Sequence, residues 1–388
     1  MNEQILSNAR LVLDDEVITG SLVIRDGLIG DIDTAPSRHP AAIDCANDYL
    51  LPGLVELHTD NMEKYFQPRP KVAWPSRQAA LAHDAQMAAS GITTVFDAVA
   101  IGDVDEQSMR HGALDEMCQA LSAIVDDGLA RVDHRLHLRC EVCHPDTLRR
   151  FRELADTPLL GLVSLMDHAP GQRQFASLDA YRVYYQGKYG LDDSALEAFI
   201  ESQLANSTRY SAEHRRAIAA ECSTRGLALA SHDDATLAHV AESHEYGTRV
   251  AEFPTTREAA EASHRAGMAV MMGAPNVVRG GSHSGNIAAA ELVEAGVLDI
   301  LSSDYYPAAL LDAAFKVARM DAGYSLHSSL PQAVAMASRH PAEAVGLADR
   351  GRLATGLRAD LLRVRMVDEH LHAHPIVQRV WSAGRQVH

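Results

Sequence analysis

Eight short apolar runs, separated by longer helical patterns, constrain this chain more than any other feature. They read LPGLVELH (51–58), TTVFDAVAI (93–101), HRLHLRCEV (134–142), LLGLVSLMDH (159–168), LALASHDD (227–234), RVAEFPTT (249–256), AVMMGAPNVV (269–278) and LDILSSDYYP (298–307). Intervening segments such as RQAALAHDAQMAASG set apolar residues at helical spacing. Such alternation predicts an α/β fold, a (β/α)8 TIM-type barrel, over residues 51–345. The ends differ. ARLVLDDEVITGSLVIRDGLIGDID and the tail beginning GRLATGLRADLLRVRMVDEH carry the short-strand, turn-rich pattern of antiparallel sheet. Residues 1–50 and 346–388 are each too small to hold a core alone, so one small β domain built from both termini is expected.

The formal charge of −17 argues against nucleic acid or an anionic membrane as partner, and an anionic substrate would need basic residues or metal ions gathered locally. No stretch approaches the roughly 18 apolar residues of a membrane span, and the start lacks a basic segment followed by an apolar one, so a cytoplasmic location is expected. Five cysteines, with only Cys140 and Cys143 close together, do not make a disulfide framework; buried thiols are expected instead. Twenty histidines, several of them just after apolar runs, point toward metal chemistry.

Strand side chains alternate between faces, so parity tells which polar groups point together. Glu56, His58 and Asp60 share a face; so do His137, Arg139 and Glu141, then Ser164, Met166 and His168, then His232 and Asp234, then Ser302, Asp304 and Tyr306. Most of these polar groups lie toward the carboxyl ends of their runs, where barrel enzymes place their chemistry. Taken singly, each has an ordinary structural explanation. Together His58, Asp60, Glu141, His232 and Asp304, with His168 and Glu252 beside them, supply imidazoles and carboxylates in the number that one or two divalent ions need. Burying that many carboxylates without a cation is costly.

These residues resemble the amidohydrolase superfamily, whose metal-dependent barrels carry flanking β pieces. LPGLVELHTD is similar to its first-strand signature, GRLATGLRADLL to its return into the β domain, and Asp304 in LSSDYYP to its last-strand aspartate. The usual His-x-His reads His58-Thr59-Asp60 here. With LHTDNMEKYFQPRPKVAWP, SLMDHAPGQRQF, YYQGKYGL, LASHDDAT, AEFPTT and MGAPNVVRGGSHSGN, the variant resembles the PhnM family of the carbon-phosphorus lyase pathway over nearly the whole chain. That resemblance implies hydrolysis of α-D-ribose 1-methylphosphonate 5-triphosphate to the 5-phosphate and pyrophosphate, upstream of carbon-phosphorus lyase. It also implies metal ligands at His58, Asp60, His232 and Asp304, with Glu141 as a bridging carboxylate. Glu252 stands where many members carry another histidine, which leaves open one divalent ion or two.

Phosphoanhydride cleavage needs an activated water and cations around the phosphoryl oxygens. Asp304 is the expected general base, and His168 or Asp233 the partner of a phosphoryl oxygen or of the water. Arg69, Lys71, Arg139, Arg173, Lys188 and Arg279 are the candidate phosphate binders. The loop RGGSHSGN could cradle phosphate, with His283 closing over it. Aspartate in place of the second histidine favours manganese or magnesium, with zinc also compatible. Two other readings use the same scaffold: hydrolysis of a C–N bond, or a catalytically silent subunit. A homodimer is the ordinary expectation for such a barrel.

Overall fold

The computed structural model describes residues 3–69, 71–102, 109–173, 178–189, 192–282, 285–319, 329–367 and 374–388. Its start shows how local sequence builds the first sheet. Strands Val17–Arg25 and Leu28–Asp33 meet through Asp26-Gly27, both at positive φ (50° and 85°), the pair that a tight hairpin turn requires. Glu3–Val12 pairs antiparallel with Val17–Arg25 and parallel with Tyr49–Pro52, which in turn pairs antiparallel with Leu361–Val367. His374–Ser382 and Arg385–Gln386 complete that side, so both ends of the chain enter one mixed sheet. Its buried face carries Leu6, Leu11, Leu22, Ile24, Leu50, Leu361 and Trp381.

The run expected over 51–58 divides at Gly53. Leu51 and Pro52 belong to the terminal sheet, and the first barrel strand is Leu54–Thr59. The Gly53 amide donates to Asp360 O at 2.8 Å, and a Cβ there would come within 2.6 Å of Thr93 Cγ2. Only glycine lets the chain cross from one sheet to the other so closely.

The remaining barrel strands are Ile92–Ile101, Asp133–Glu141, Leu160–Met166, Ala228–His232, Val250–Glu252, Ala269–Gly273 and Ile300–Ser302, parallel and adjacent in chain order. First and eighth strands meet at one bridge, Thr59 to Asp304, which nearly closes the barrel. Its interior holds Val55, Leu57, Phe96, Leu162, Ala230, Val250, Met271 and Ile300. The opposite strand faces pack on helices such as Ser76–Ala89 and Ala309–Val317. Caps mark several of those helices: Thr236 and Thr256 accept amides at their starts, and Gly226 at φ 70° ends Ala212–Arg225.

After the fourth strand come helices Leu178–Tyr189, Asp193–Asn206 and Ala212–Arg225, the last two joined by a π-turn at Ser207–Ser211. Tyr181, Tyr185, Leu196 and Ile200 form a small core of their own there. All five cysteines are free and buried. No helix among the described residues is long and apolar enough to cross a membrane.

Candidate metal centre

The first and eighth strands deliver three donors to one place. His58 lies near the end of its strand, Asp60 follows it, and Asp304 stands two residues past Ser302 at φ 54°. Two backbone bonds lock this junction: Asp60 N to Asp304 O at 2.9 Å, and Asp304 N to His58 O at 3.1 Å. Beneath it, fully buried Glu56 accepts from His58 N at 2.6 Å, Ser302 Oγ at 2.7 Å and Ser303 N at 2.5 Å. Burial pushes its carboxyl up to about 7 against those hydrogen bonds.

Three imidazoles are held alike. Nδ1 of His58 lies 3.0 Å from Glu252 Oε1, Nδ1 of His232 3.0 Å from Glu252 Oε2, and Nδ1 of His168 2.6 Å from Glu141 Oε2. Burial alone would lower His58 and His168, but Glu252 and Glu141 respectively outweigh it and hold each up at about 10. The three Nε2 atoms face other carboxylates: His58 to Asp60 at 3.7 Å, His232 to Asp233 at 3.5 Å, and His168 to Asp233 at 3.8 Å. Those gaps exceed a hydrogen bond. They match the separation of roughly 3.4 Å between two ligands of one tetrahedral ion with bonds of about 2.1 Å.

Donor chemistry and spacing therefore fit divalent cations in two groups, His58–Asp60–Asp304 and His168–His232–Asp233, each with its ligand atoms within 4.8 Å of one another. A carboxylate on the far nitrogen is also what metal-bound imidazoles ordinarily have. Burial raises the Asp304 carboxyl above the ordinary range; His58 opposes and Asp60 adds to this.

Other expected residues distribute unevenly. Glu141, expected to bridge two ions, lies against His168, Oε2 at 2.6 Å from Nδ1 and Oε1 accepting from the His168 amide at 2.9 Å and from Cys143 Sγ at 3.2 Å. Arg139 reaches the centre and pairs with Asp60 at 2.6 Å. Burial would lower its guanidinium, but Asp60, Glu252, Glu63 and Asp304 hold it charged. Arg173 departs from the expectation of a phosphate binder: only 3% exposed, it pairs with Asp234 and with Glu242 at 3.1 Å. Asp234 thus belongs to that ion pair, whereas Asp233, at φ 56°, turns toward the imidazoles. Arg69, Lys71 and Arg279 are exposed. Lys188 lies on Leu178–Tyr189 with its side chain outside the described part, and His283 falls outside the described residues.

Two features escaped the sequence reading. One is the double contact of Glu252, although its parity at the end of the sixth strand was a signal. The other is a fully buried chain beside the centre: Asp97 pairs with His83 at 2.6 Å and His134 at 2.7 Å, and His134 reaches Asp84 at 3.3 Å. His83 Nδ1 lies 3.3 Å from Asn61 Nδ2, next to Asp60. Its members come from a helix and two strands, so no single segment displays it.

Residues 72–388 match the amidohydrolase family. Over 383 residues, 99% of this chain and 100% of the relative, the sequence is 54% identical to the alpha-D-ribose 1-methylphosphonate 5-triphosphate diphosphatase of Escherichia coli strain K12. The fold is similar to A. niger ochratoxinase, with TM-score 0.65 at 16% identity over 99% of this chain and 95% of that one. It is likewise similar to a variant of the N-acetyl-D-glucosamine-6-phosphate deacetylase of Mycobacterium smegmatis, with TM-score 0.63 at 16% identity over 100% of both chains. Those two likenesses speak for the fold alone. The family match over most of the chain and a relative sharing more than half its residues along its length show that the chain belongs to the amidohydrolase family.

Proposed function

We propose that the protein hydrolyses α-D-ribose 1-methylphosphonate 5-triphosphate to the 5-phosphate and pyrophosphate. The observation that carries this is the 54% identity, end to end, with a diphosphatase named for that substrate. Arg139 at the centre supports it, because a triphosphate needs a permanent cation that an amide substrate does not.

His58, Asp60 and Asp304 would hold one divalent ion and His168, His232 and Asp233 a second, zinc, manganese and magnesium all being suited to such donors. When bound, the cations supply Lewis acidity, acidifying water and offsetting phosphoryl charge. Asp304, its basicity raised by burial, takes the proton of the attacking water as the new P–O bond forms and the bond between the α- and β-phosphoryl groups breaks. The bridging oxygen leaves with whichever product holds the phosphorus that water does not attack. Arg139 orients a phosphoryl oxygen while restraining Asp60, and Glu141 keeps His168 aimed. Exposed Arg69, Lys71 and Arg279 meet the outer phosphates. The protein acts in the cytoplasm, as a homodimer, ahead of carbon-phosphorus bond cleavage.

Incubation of cation-loaded protein with this triphosphate in heavy-oxygen water tests the reading, with ATP and dihydroorotate as controls. Selective pyrophosphate release is expected, and the label's position names the phosphorus attacked. Turnover of dihydroorotate without pyrophosphate release would sink the proposal.

A further inference from the structure

The sixth strand ends in Glu252, whose carboxylate is completely buried. It faces three imidazoles. His137 makes no demand on it: Nδ1 lies 2.9 Å from Leu57 O and Nε2 2.9 Å from Ser164 Oγ, leaving Nδ1 3.8 Å from Glu252. The other two divide the carboxylate between them, Oε1 at 3.0 Å from Nδ1 of His58 and Oε2 at 3.0 Å from Nδ1 of His232. Those rings stack at 5.9 Å with 16° between their planes, and Phe253, at φ 53°, sets its edge against both.

We propose that Glu252 is a positioning residue shared by two cation sites, one oxygen fixing His58 in the first site and the other fixing His232 in the second. Each imidazole then donates Nδ1–H to Glu252 and turns Nε2 to its cation, His58 toward Asp60 and Asp304, His232 toward His168 and Asp233. The competing arrangement makes Glu252 itself a ligand, together with Nδ1 of both histidines. Distance decides between them. Two 3.0 Å contacts are ordinary N–H···O hydrogen bonds, whereas ligands of one tetrahedral ion sit roughly 3.4 Å apart. That arrangement would also leave Nε2 of His58, 3.7 Å from Asp60, and Nε2 of His232, 3.5 Å from Asp233, without a cation. Through one rigid carboxylate, loss of orientation in one site is felt in the other.

The proposal rests on the metal-dependent reading above, and its test reads cation binding rather than turnover. Apo-protein is titrated calorimetrically with zinc and with manganese, for the wild type and for Glu252→Gln. Two equivalents are expected to bind the wild type. In Glu252→Gln both should weaken, by roughly 10- to 100-fold, because the amide offers one oxygen in place of two and presents N–H to the other ring. Retention of wild-type affinity at either site, or a wild-type stoichiometry of one, would overturn the proposal. Nitrogen-15 histidine spectra of the zinc-loaded wild type give a second readout that needs no variant. Nδ1 of His58 and His232 should stay protonated while Nε2 of both shifts on loading; a metallated Nδ1 on either ring overturns the assignment. Pyrophosphate release by the wild type is scored separately, so a failure of Glu252's role is distinguishable from a failure of the substrate reading.

Discussion

At the scale of single residues, Asp304 and Arg173 illustrate opposite fates of sequence candidates. Asp304 lies in the αL region, a conformation that costs energy and is retained where two backbone bonds impose it. Asp304→Asn keeps the shape and removes the base, so kcat for pyrophosphate release should fall by about 100-fold or more while circular dichroism is unchanged. Near-normal turnover would take Asp304 out of the proton-transfer role. Arg173 looked like a phosphate ligand because it follows a strand in a loop with glycine, and sequence cannot reveal that Asp234 and Glu242 surround it. Arg173→Ala leaves Asp234 buried without its partner and should cost about 3–5 kcal/mol in urea unfolding. A stable variant with a raised KM would restore the phosphate role.

At the scale of elements, the second and third strands and the helix Ser76–Ala89 are joined by the buried chain His83–Asp97–His134–Asp84. Burial opposes the charge on Asp97, but His83 and His134 lower its carboxyl from 3.8 to about 2; burial likewise opposes His134, but Asp97 and Asp84 raise it from 6.5 to about 9. A depressed carboxyl gives stability that is present above about pH 4 and lost as pH falls toward 2. A raised imidazole gives stability that is complete below about pH 6.5 and lost as pH rises through 9. The thermal midpoint should therefore fall between pH 7 and 10, and less steeply in Asp97→Asn. Equal slopes in both proteins would dissociate this chain from the alkaline limb. Element boundaries were less legible than element types: the split at Gly53 depends on Thr93 and Asp360, far along the chain.

At the scale of the molecule, a cation held by these donors would link binding to folding, because they come from the first, fourth, fifth and eighth strands. A cation at 100 times its dissociation constant adds about 2.7 kcal/mol to the folded state. Chelation should lower the thermal midpoint by several degrees, with recovery on adding zinc or manganese. An unchanged midpoint under complete metal removal would show that the donors are not joined through a cation.

Sequence alone determined the number and order of the barrel strands, the pairing of the two termini in one sheet, and the carboxyl-end position of His58, Asp60, His232 and Asp304. The strands and the strand-end residues follow from periodicity and turn chemistry written within about ten residues, and the joining of the termini from each piece being too small to hold a core alone. Tertiary structure decided which nitrogen of each imidazole faces the donors, that Glu252 serves His58 from 194 residues away, and that Glu141 serves His168. Such choices depend on how neighbouring strands stagger around the barrel. Alternation along one strand fixes the face of a side chain but leaves its height, and therefore its partner, to the strands beside it.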